Sequence, residues 1–263
     1  MVRALVLTGY GINCEGEMAH GFRLAGAEAT ILHLEDLIER PENLRTFHIF
    51  ALPGGFSFGD HLGSGRALAN RLRHSPLWKE LLRFIEEGKY VWGVCNGFQT
   101  LIKLGLLPGE TSLIRNESNR FENRWVDLLV DPCSPSVYTE GLGTLNLPVR
   151  HGEGRLFAGD ETIRKLIEKG YAVLRYLDAE GKETEEYPFN PNGSPCGIAG
   201  LCDPSGRIFG LMPHPEAFLD FTNHPHWTRS LSRLRREGKA IPKAGEGLAL
   251  FNNVVRKADG AFK

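Results

Sequence analysis

The chain of 263 residues is short of everything that would stabilise a fold from outside its core. It has five cysteines, Cys14, Cys95, Cys133, Cys196 and Cys202, an odd number with no C-x-x-C pair among them. Neither a disulfide framework nor a structural zinc site is indicated, so reduced cysteines and no metal are expected. No apolar run approaches membrane-spanning length. The apolar opening, Met1 to Gly9, is too short for a signal-peptide core and has no cleavage pattern, which predicts a soluble cytoplasmic protein. An excess of charge of either sign is also lacking: 31 Lys and Arg stand against 32 Asp and Glu, a net charge of -1. That balance leaves no electrostatic footprint for nucleic acid or an anionic membrane, and no substrate held by bulk charge. The phosphate-loop pattern G-x-x-x-x-G-K-[ST] is absent as well.

What the chain does have is 41% hydrophobic residues, enough for a substantial core, distributed in two styles. The first half alternates apolar strands (Ala4 to Thr8, Ala29 to His33, Phe47 to Leu52, Tyr90 to Val94) with helices (Glu15 to Ala25, Ser64 to Arg73, Pro76 to Glu87, Gly97 to Leu104). This is the pattern of an α/β doubly wound, mostly parallel sheet with helices on both faces. Beyond Pro108 the sequence turns strand-rich, with candidates at Trp125 to Val130, Leu145 to Arg150, Ala172 to Tyr176, Gly197 to Leu201 and Ile208 to Met212. One domain over 1–263 is predicted, with a sheet extension and a helical C-terminal extension from about 218 made of His226 to Arg236 and Glu246 to Lys257.

Two short segments carry chemistry. Gly93-Val94-Cys95-Asn96-Gly97 joins an apolar strand directly to a helix, with cysteine at the corner. It has the form of the G-x-S-x-G elbow, in which flanking glycines allow a sharp turn that exposes a nucleophile, here sulfur. A cysteine at a helix N-terminus is further activated by the dipole and by unpaired backbone N–H groups. Far downstream, Pro213-His214-Pro215-Glu216 follows the strand Ile208 to Met212. The prolines predict an extended segment with His214 and Glu216 on one face, a base and its orienting carboxylate. Cys95, His214 and Glu216 then complete a nucleophile, an acid/base and an orienter, and the other four cysteines are expected to be dispensable for chemistry. The pair Gly54-Gly55 after the strand ending at Leu52 suggests an oxyanion hole built from the N–H of Gly55 and that of Asn96. Gly9-Tyr10-Gly11 starts like a dinucleotide fingerprint, but Cys14 stands where the third glycine belongs. The basic run Arg229, Arg233, Arg235, Arg236, Lys239 and Lys243 reads as a solvated helix face.

The elbow Gly93 to Gln99 with Pro213 to Glu216 resembles the class I glutamine amidotransferases, which have a flavodoxin-like fold. More narrowly, Pro53 to Asp60, Arg115 to Glu122, His151 to Arg155 and Asn190 to Ser194 resemble the glutaminase subunit of phosphoribosylformylglycinamidine synthase. Two departures are visible: Ala217 where many relatives carry arginine, and the segment His61 to Arg66. The resemblance implies glutamine hydrolysis through a thioester on Cys95, with Gly54, Gln99 and His151 near the bound glutamine or a subunit interface. It also implies no cofactor in this chain, with ATP and Mg on a large synthetase subunit, joined by a small accessory subunit where the organism makes one. Two other readings share the elbow: a stand-alone cysteine hydrolase or peptidase, and an inactive regulatory module.

Overall fold

A computed structural model describes residues 1–262. Its strands are β1 (Arg3–Thr8), β2 (Glu28–His33), β3 (Ile49–Leu52), β4 (Tyr90–Val94), β5 (Ser112–Arg115), β6 (Glu122–Val130), β7 (Thr144–His151), β8 (Glu153–Phe157), β9 (Ala172–Leu177), β10 (Ile198–Cys202) and β11 (Ile208–Leu211). Nine of them form one sheet in the order β2-β1-β3-β4-β11-β10-β9-β6-β7, and β5 pairs with β8 separately. The half from β2 to β11 is parallel, and beyond β11 every pairing is antiparallel. The α/β class with a strand-rich extension is therefore borne out, and the extension is continuous with the parallel half.

The helices are α1 (Glu15–Leu24), α2 (Leu34–Glu39), α3 (Arg66–Arg73), α4 (Leu77–Glu86), α5 (Asn96–Leu104), α6 (Asp160–Glu168), α7 (Trp227–Arg236) and α8 (Leu248–Ala261). Amphipathic spacing explains α4, where Leu77, Leu81 and Phe84 are the buried residues. In α5, by contrast, every residue but Lys103 is buried, as expected for a helix enclosed by strands and neighbouring helices. α2, α6, β5 and β8 were not anticipated from the sequence, because each is short or lacks a long periodic pattern.

The C-terminal helices divide sharply. α7 buries no residue, consistent with a solvated face for Arg229, Arg233, Arg235 and Arg236. α8 buries Leu250, Phe251, Val254, Val255 and Ala258 and is part of the core. The ring of Phe251 lies 5.0 Å from Phe22 of α1 and 4.6 Å from Trp92 of β4, both between centroids. Trp92 also packs against Tyr138, whose hydroxyl lies 3.0 Å from the Val91 carbonyl and 3.1 Å from that of Arg207. Thus α8 buttresses the strand that ends in Cys95. No helix among the described residues is long and apolar enough to cross a membrane. Phe251→Ala should destabilise the protein by about 3–5 kcal/mol, a cavity-forming loss. Urea unfolding followed by fluorescence checks this; a change within experimental error would show that α8 is an appendage.

Candidate active site

Cys95 occupies the junction of β4 and α5 with φ 50° and ψ -103°, a conformation that side chains rarely adopt. Its N–H donates to Leu211 O at 2.8 Å and its carbonyl accepts from Gln99 N–H at 3.0 Å, so the corner is clamped from both sides. The flanking glycines serve close approach. A Cβ on Gly97 would lie 1.9 Å from the Leu52 carbonyl oxygen, and one on Gly93 2.7 Å from the Gly97 carbonyl. The sequence suggested an exposed corner, but Cys95 is only 6% exposed. Its thiol points to the Arg150 carbonyl, with sulfur and oxygen 3.7 Å apart.

His214 and Glu216 are both buried, and His214 Nδ1 lies 2.5 Å from Glu216 Oε1. The segment is not extended as predicted: Pro215–Ala217 forms a single 3-10 turn. Proline at its first position suits the turn, and the turn rather than strand alternation brings the carboxylate back to the ring. Burial alone would push the imidazole down, but the Glu216 carboxylate and then the sulfurs of Cys95 and Cys14 outweigh it and hold His214 well above its ordinary value. His214 Nε2 is buried without a geometric hydrogen-bond partner, while the Cys95 sulfur is near enough to act electrostatically on the ring.

Cys14 lies between β1 and α1, at the N-terminal end of the helix. Its sulfur joins His214 and Glu216 in one cluster, their S, N and O atoms all within 4.8 Å of one another, a proximity that the sequence did not signal. Burial pushes the Cys14 thiol up, and contact with His214 partly offsets the rise.

The glycine pair lies opposite the elbow. Asn13 N–H donates to Gly54 O and Phe56 N–H to Gly11 O, an arrangement in which the Gly55 N–H takes no part. Asn96 is the first residue of α5, where backbone N–H groups have no intrahelical partner. The Asn96 side chain accepts from Ser57 N–H at 3.2 Å and donates to Asp60 Oδ1 at 3.1 Å and Gln99 Oε1 at 3.0 Å. It thereby pins the loop carrying Gly54 and Gly55 to the helix carrying Asn96.

Gln99 and His151 are buried. Both ends of the Gln99 amide are committed, the oxygen to Asn96 and the nitrogen to Glu153 O at 2.5 Å, so here Gln99 is a strut between α5 and β8. His151 is fixed by Asn116, whose Nδ2 donates to the carbonyls of His151 and Arg120. That leaves Asn116 Oδ1 to accept from Gly154 N–H at 3.0 Å and from His151 Nδ1 at 3.1 Å. His151 Nε2 is therefore a bare acceptor, buried and unpartnered. Burial, reinforced by the neighbouring His214, lowers its pKa to about 3. The segments around residues 115–122, 151–155 and 190–194 thus form one structure: Glu117 N–H reaches Asn192 O, Arg155 Nε reaches Gly193 O, and Leu156 N–H reaches Ser194 Oγ. Asn116, Asp60, Glu153 and Cys14 were not singled out from the sequence. Their signal was membership of motifs, or proximity in sequence to a strand end.

This arrangement defines the class of protein. The chain belongs to the glutamine amidotransferases: the CobB/CobQ-like glutamine amidotransferase domain family matches residues 1–256. Within that class it belongs to the family of the phosphoribosylformylglycinamidine synthase subunit PurQ. It is 43% identical to that subunit from Dehalococcoides mccartyi over 98% of each chain. Against the one from Methanococcus maripaludis the identity is 44%, over 96% of each. Among solved structures, a chain of PurLQS from Thermotoga maritima superposes with a TM-score of 0.71 at 30% identity, covering 97% of this chain and 98% of that one. A putative GMP synthase component from Thermoplasma acidophilum shares the fold with a TM-score of 0.57 at 12% identity, covering 99% of this chain and 96% of that one.

The His151 environment has a pH consequence. In the unfolded chain a histidine takes its proton as pH falls through about 6.5, whereas folded His151 stays neutral down to about 3. Its contribution to stability is present above pH 6.5 and is lost as pH falls. His214 has the opposite sign, contributing below about 6.5 and losing that contribution as pH rises through its raised value, so its slope offsets that of His151 near pH 6.5 and fades about one pH unit lower. Between about pH 5.5 and 4 wild-type stability should fall with a His151 component of up to about 1.4 kcal/mol per pH unit. His151→Gln should flatten this slope in denaturant titrations; an unchanged slope would show that His151 titrates normally.

Proposed function

We propose that the chain is the glutaminase subunit of a phosphoribosylformylglycinamidine synthase, releasing ammonia from glutamine for an ATP-dependent synthetase. That synthetase converts formylglycinamide ribonucleotide to the amidine in purine biosynthesis. The observation that carries the reading is a strained elbow cysteine beside a buried His–Glu pair 2.5 Å apart, in a chain alike along nearly its full length to PurQ subunits. Cys95 attacks the glutamine side-chain amide carbon, and the N–H groups of Gly55 and Asn96 receive the developing oxyanion, each donor contributing roughly 3–4 kcal/mol. His214 takes the thiol proton and gives it to the departing nitrogen, leaving a glutamyl thioester and ammonia. It then activates water, which releases glutamate and restores the thiol. Glu216 fixes the ring and stabilises its charged form. Gly54 forms the wall beside the ring, and Gln99 and His151 hold the pocket from beneath, with glutamine as substrate.

The proposed partners are the large synthetase subunit together with a small accessory one; PurLQS is the assembly named for the T. maritima relative. No cofactor is assigned to this chain, ATP and Mg being proposed for the synthetase. The proposed setting is the cytoplasm, where thiols stay reduced. The chain is read as a single glutaminase domain, with the segment from about 218 contributing α8 to its core. A Cys95 thiol turned to the Arg150 carbonyl, and a buried His214 Nε2 left without a partner, support a site that is incompletely engaged alone and is tightened by the partner.

Cys95→Ala should abolish glutamate release with the fold intact, and Glu216→Gln should retain more turnover than His214→Asn. Gly54→Ala sets a Cβ 2.7 Å from His214 Cε1 and should lower kcat on the order of 10²-fold. Titrating the synthetase, with formylglycinamide ribonucleotide and ATP present, should raise glutamate release in step with the amidine, and Arg120→Ala should weaken that stimulation more than the basal rate. Full activity with no partner, and no complex in sedimentation, would return the stand-alone hydrolase to first place.

A further inference from the structure

We propose that Cys14, His214 and Glu216 form a site for a soft divalent cation, of the zinc or cadmium type, and that the ion switches the nucleophilic machinery off by capturing its imidazole. The donor set is sulfur, nitrogen and oxygen, the combination that zinc and its heavier congener take in tetrahedral sites. One atom from each residue lies within 4.8 Å of the other two. Cys14 and His214 meet over Gly54: a Cβ on that glycine would stand 2.7 Å from His214 Cε1, 3.3 Å from Cys14 Sγ and 3.4 Å from His214 Nδ1. The missing side chain is what lets thiol and ring face one another. A second, independent observation is that the other carboxylate oxygen of Glu216 is buried without a hydrogen-bond partner. It is an acceptor that the His214 contact leaves unused, and a buried carboxylate oxygen is costly to leave bare.

Glu216 lies in the wall of a cleft of about 570 Å³ that is also lined by Glu17, His20, Arg150, Asp220 and Lys243. The acids Glu17 and Asp220 offset Arg150 and Lys243, so the approach does not repel a hydrated cation. Seating the ion sends two protons to solvent, the one on the Cys14 thiol and the Nδ1 proton that the His214 imidazolium shares with Glu216, so that the ring binds as neutral imidazole through Nδ1 and keeps its proton on Nε2, where it can no longer act as a base. Coordination deprotonates a thiol outright, so the raised Cys14 thiol is no obstacle. His214 and Glu216 part slightly to admit the ion between them. The ring is then tied to the metal and can no longer be steadied by the carboxylate.

Cation binding is independent of the glutaminase reading, whereas inhibition rests on it, and the experiment separates the two. The full chain, purified reduced and metal-free, is titrated with Cd²⁺ while thiolate-to-metal charge-transfer absorption is followed. One equivalent should bind with this absorption in wild type and in Cys95→Ala. Cys14→Ala should remove the band and weaken binding at least tenfold. Cys14→Ser keeps the volume if the alanine variant does not fold, and should also lose the band. His214→Asn should weaken binding at least tenfold in a folded protein. Zn²⁺ should inhibit glutamate release reversibly by chelator, with inhibition of Cys14→Ser requiring at least tenfold more ion, each variant being compared with its own uninhibited rate. A band that survives in Cys14→Ser and disappears in Cys95→Ala would assign the ion to the nucleophile and overturn the proposal. So would affinity indifferent to His214→Asn, which marks binding at an isolated thiol, or no stoichiometric binding at all.

Discussion

Everything at the functional end of this molecule depends on one backbone corner. Cys95 sits at φ 50° and ψ -103°, and such a conformation persists only where the surroundings determine it from several directions. Here they are β11, which accepts its N–H, the first turn of α5, which takes its carbonyl, and two glycines that allow the helix to press against β3. Behind these stands the aromatic cluster around Trp92, to which the last helix contributes Phe251. The core thus holds the strand rigid so that the turn can be strained. The strain in turn aims the thiol at the end of β7 and leaves the first N–H of α5 without an intrahelical partner.

A second layer holds the loops. Asn96, Asn116, Asn192 and Ser194 are almost completely buried, and their side chains are hydrogen-bonded. Amides suit this position because each presents both a donor and an acceptor to irregular backbone, which has no ladder of its own to join. They tie three separate chain segments into a single structure that fixes His151. The price is a set of unpartnered atoms at the centre, His151 Nε2, His214 Nε2 and Glu216 Oε2, gathered where ligand chemistry is expected.

Much of this was legible beforehand, for stateable reasons. The parallel half declared itself through fully apolar runs such as Tyr90 to Val94, all of whose residues are buried. Cys95, His214 and Glu216 were legible because strand-end position and residue chemistry coincide. The 3-10 turn at Pro215–Ala217 was not, since proline is equally compatible with an extended chain. Cys14 was missed because its relation to His214 spans 200 positions and passes through a glycine that has no side chain to mark it. The burial of α8 was missed for a similar reason: its partners, Phe22 and Trp92, belong to other elements, and periodicity alone does not name a partner.

The parallel register of β4 and β11 pairs Val94 with Leu211, one residue before the nucleophile and three before the imidazole. Because β-strands advance in fixed steps of about 3.3 Å, the separation of the two reacting groups is quantised. Adding or deleting a residue inside either strand shifts one group by a whole step and reverses which face its side chains occupy. Evolution along this chain can therefore lengthen the loops on the antiparallel side, but at the seam between the sheet's two halves it is confined to substitution.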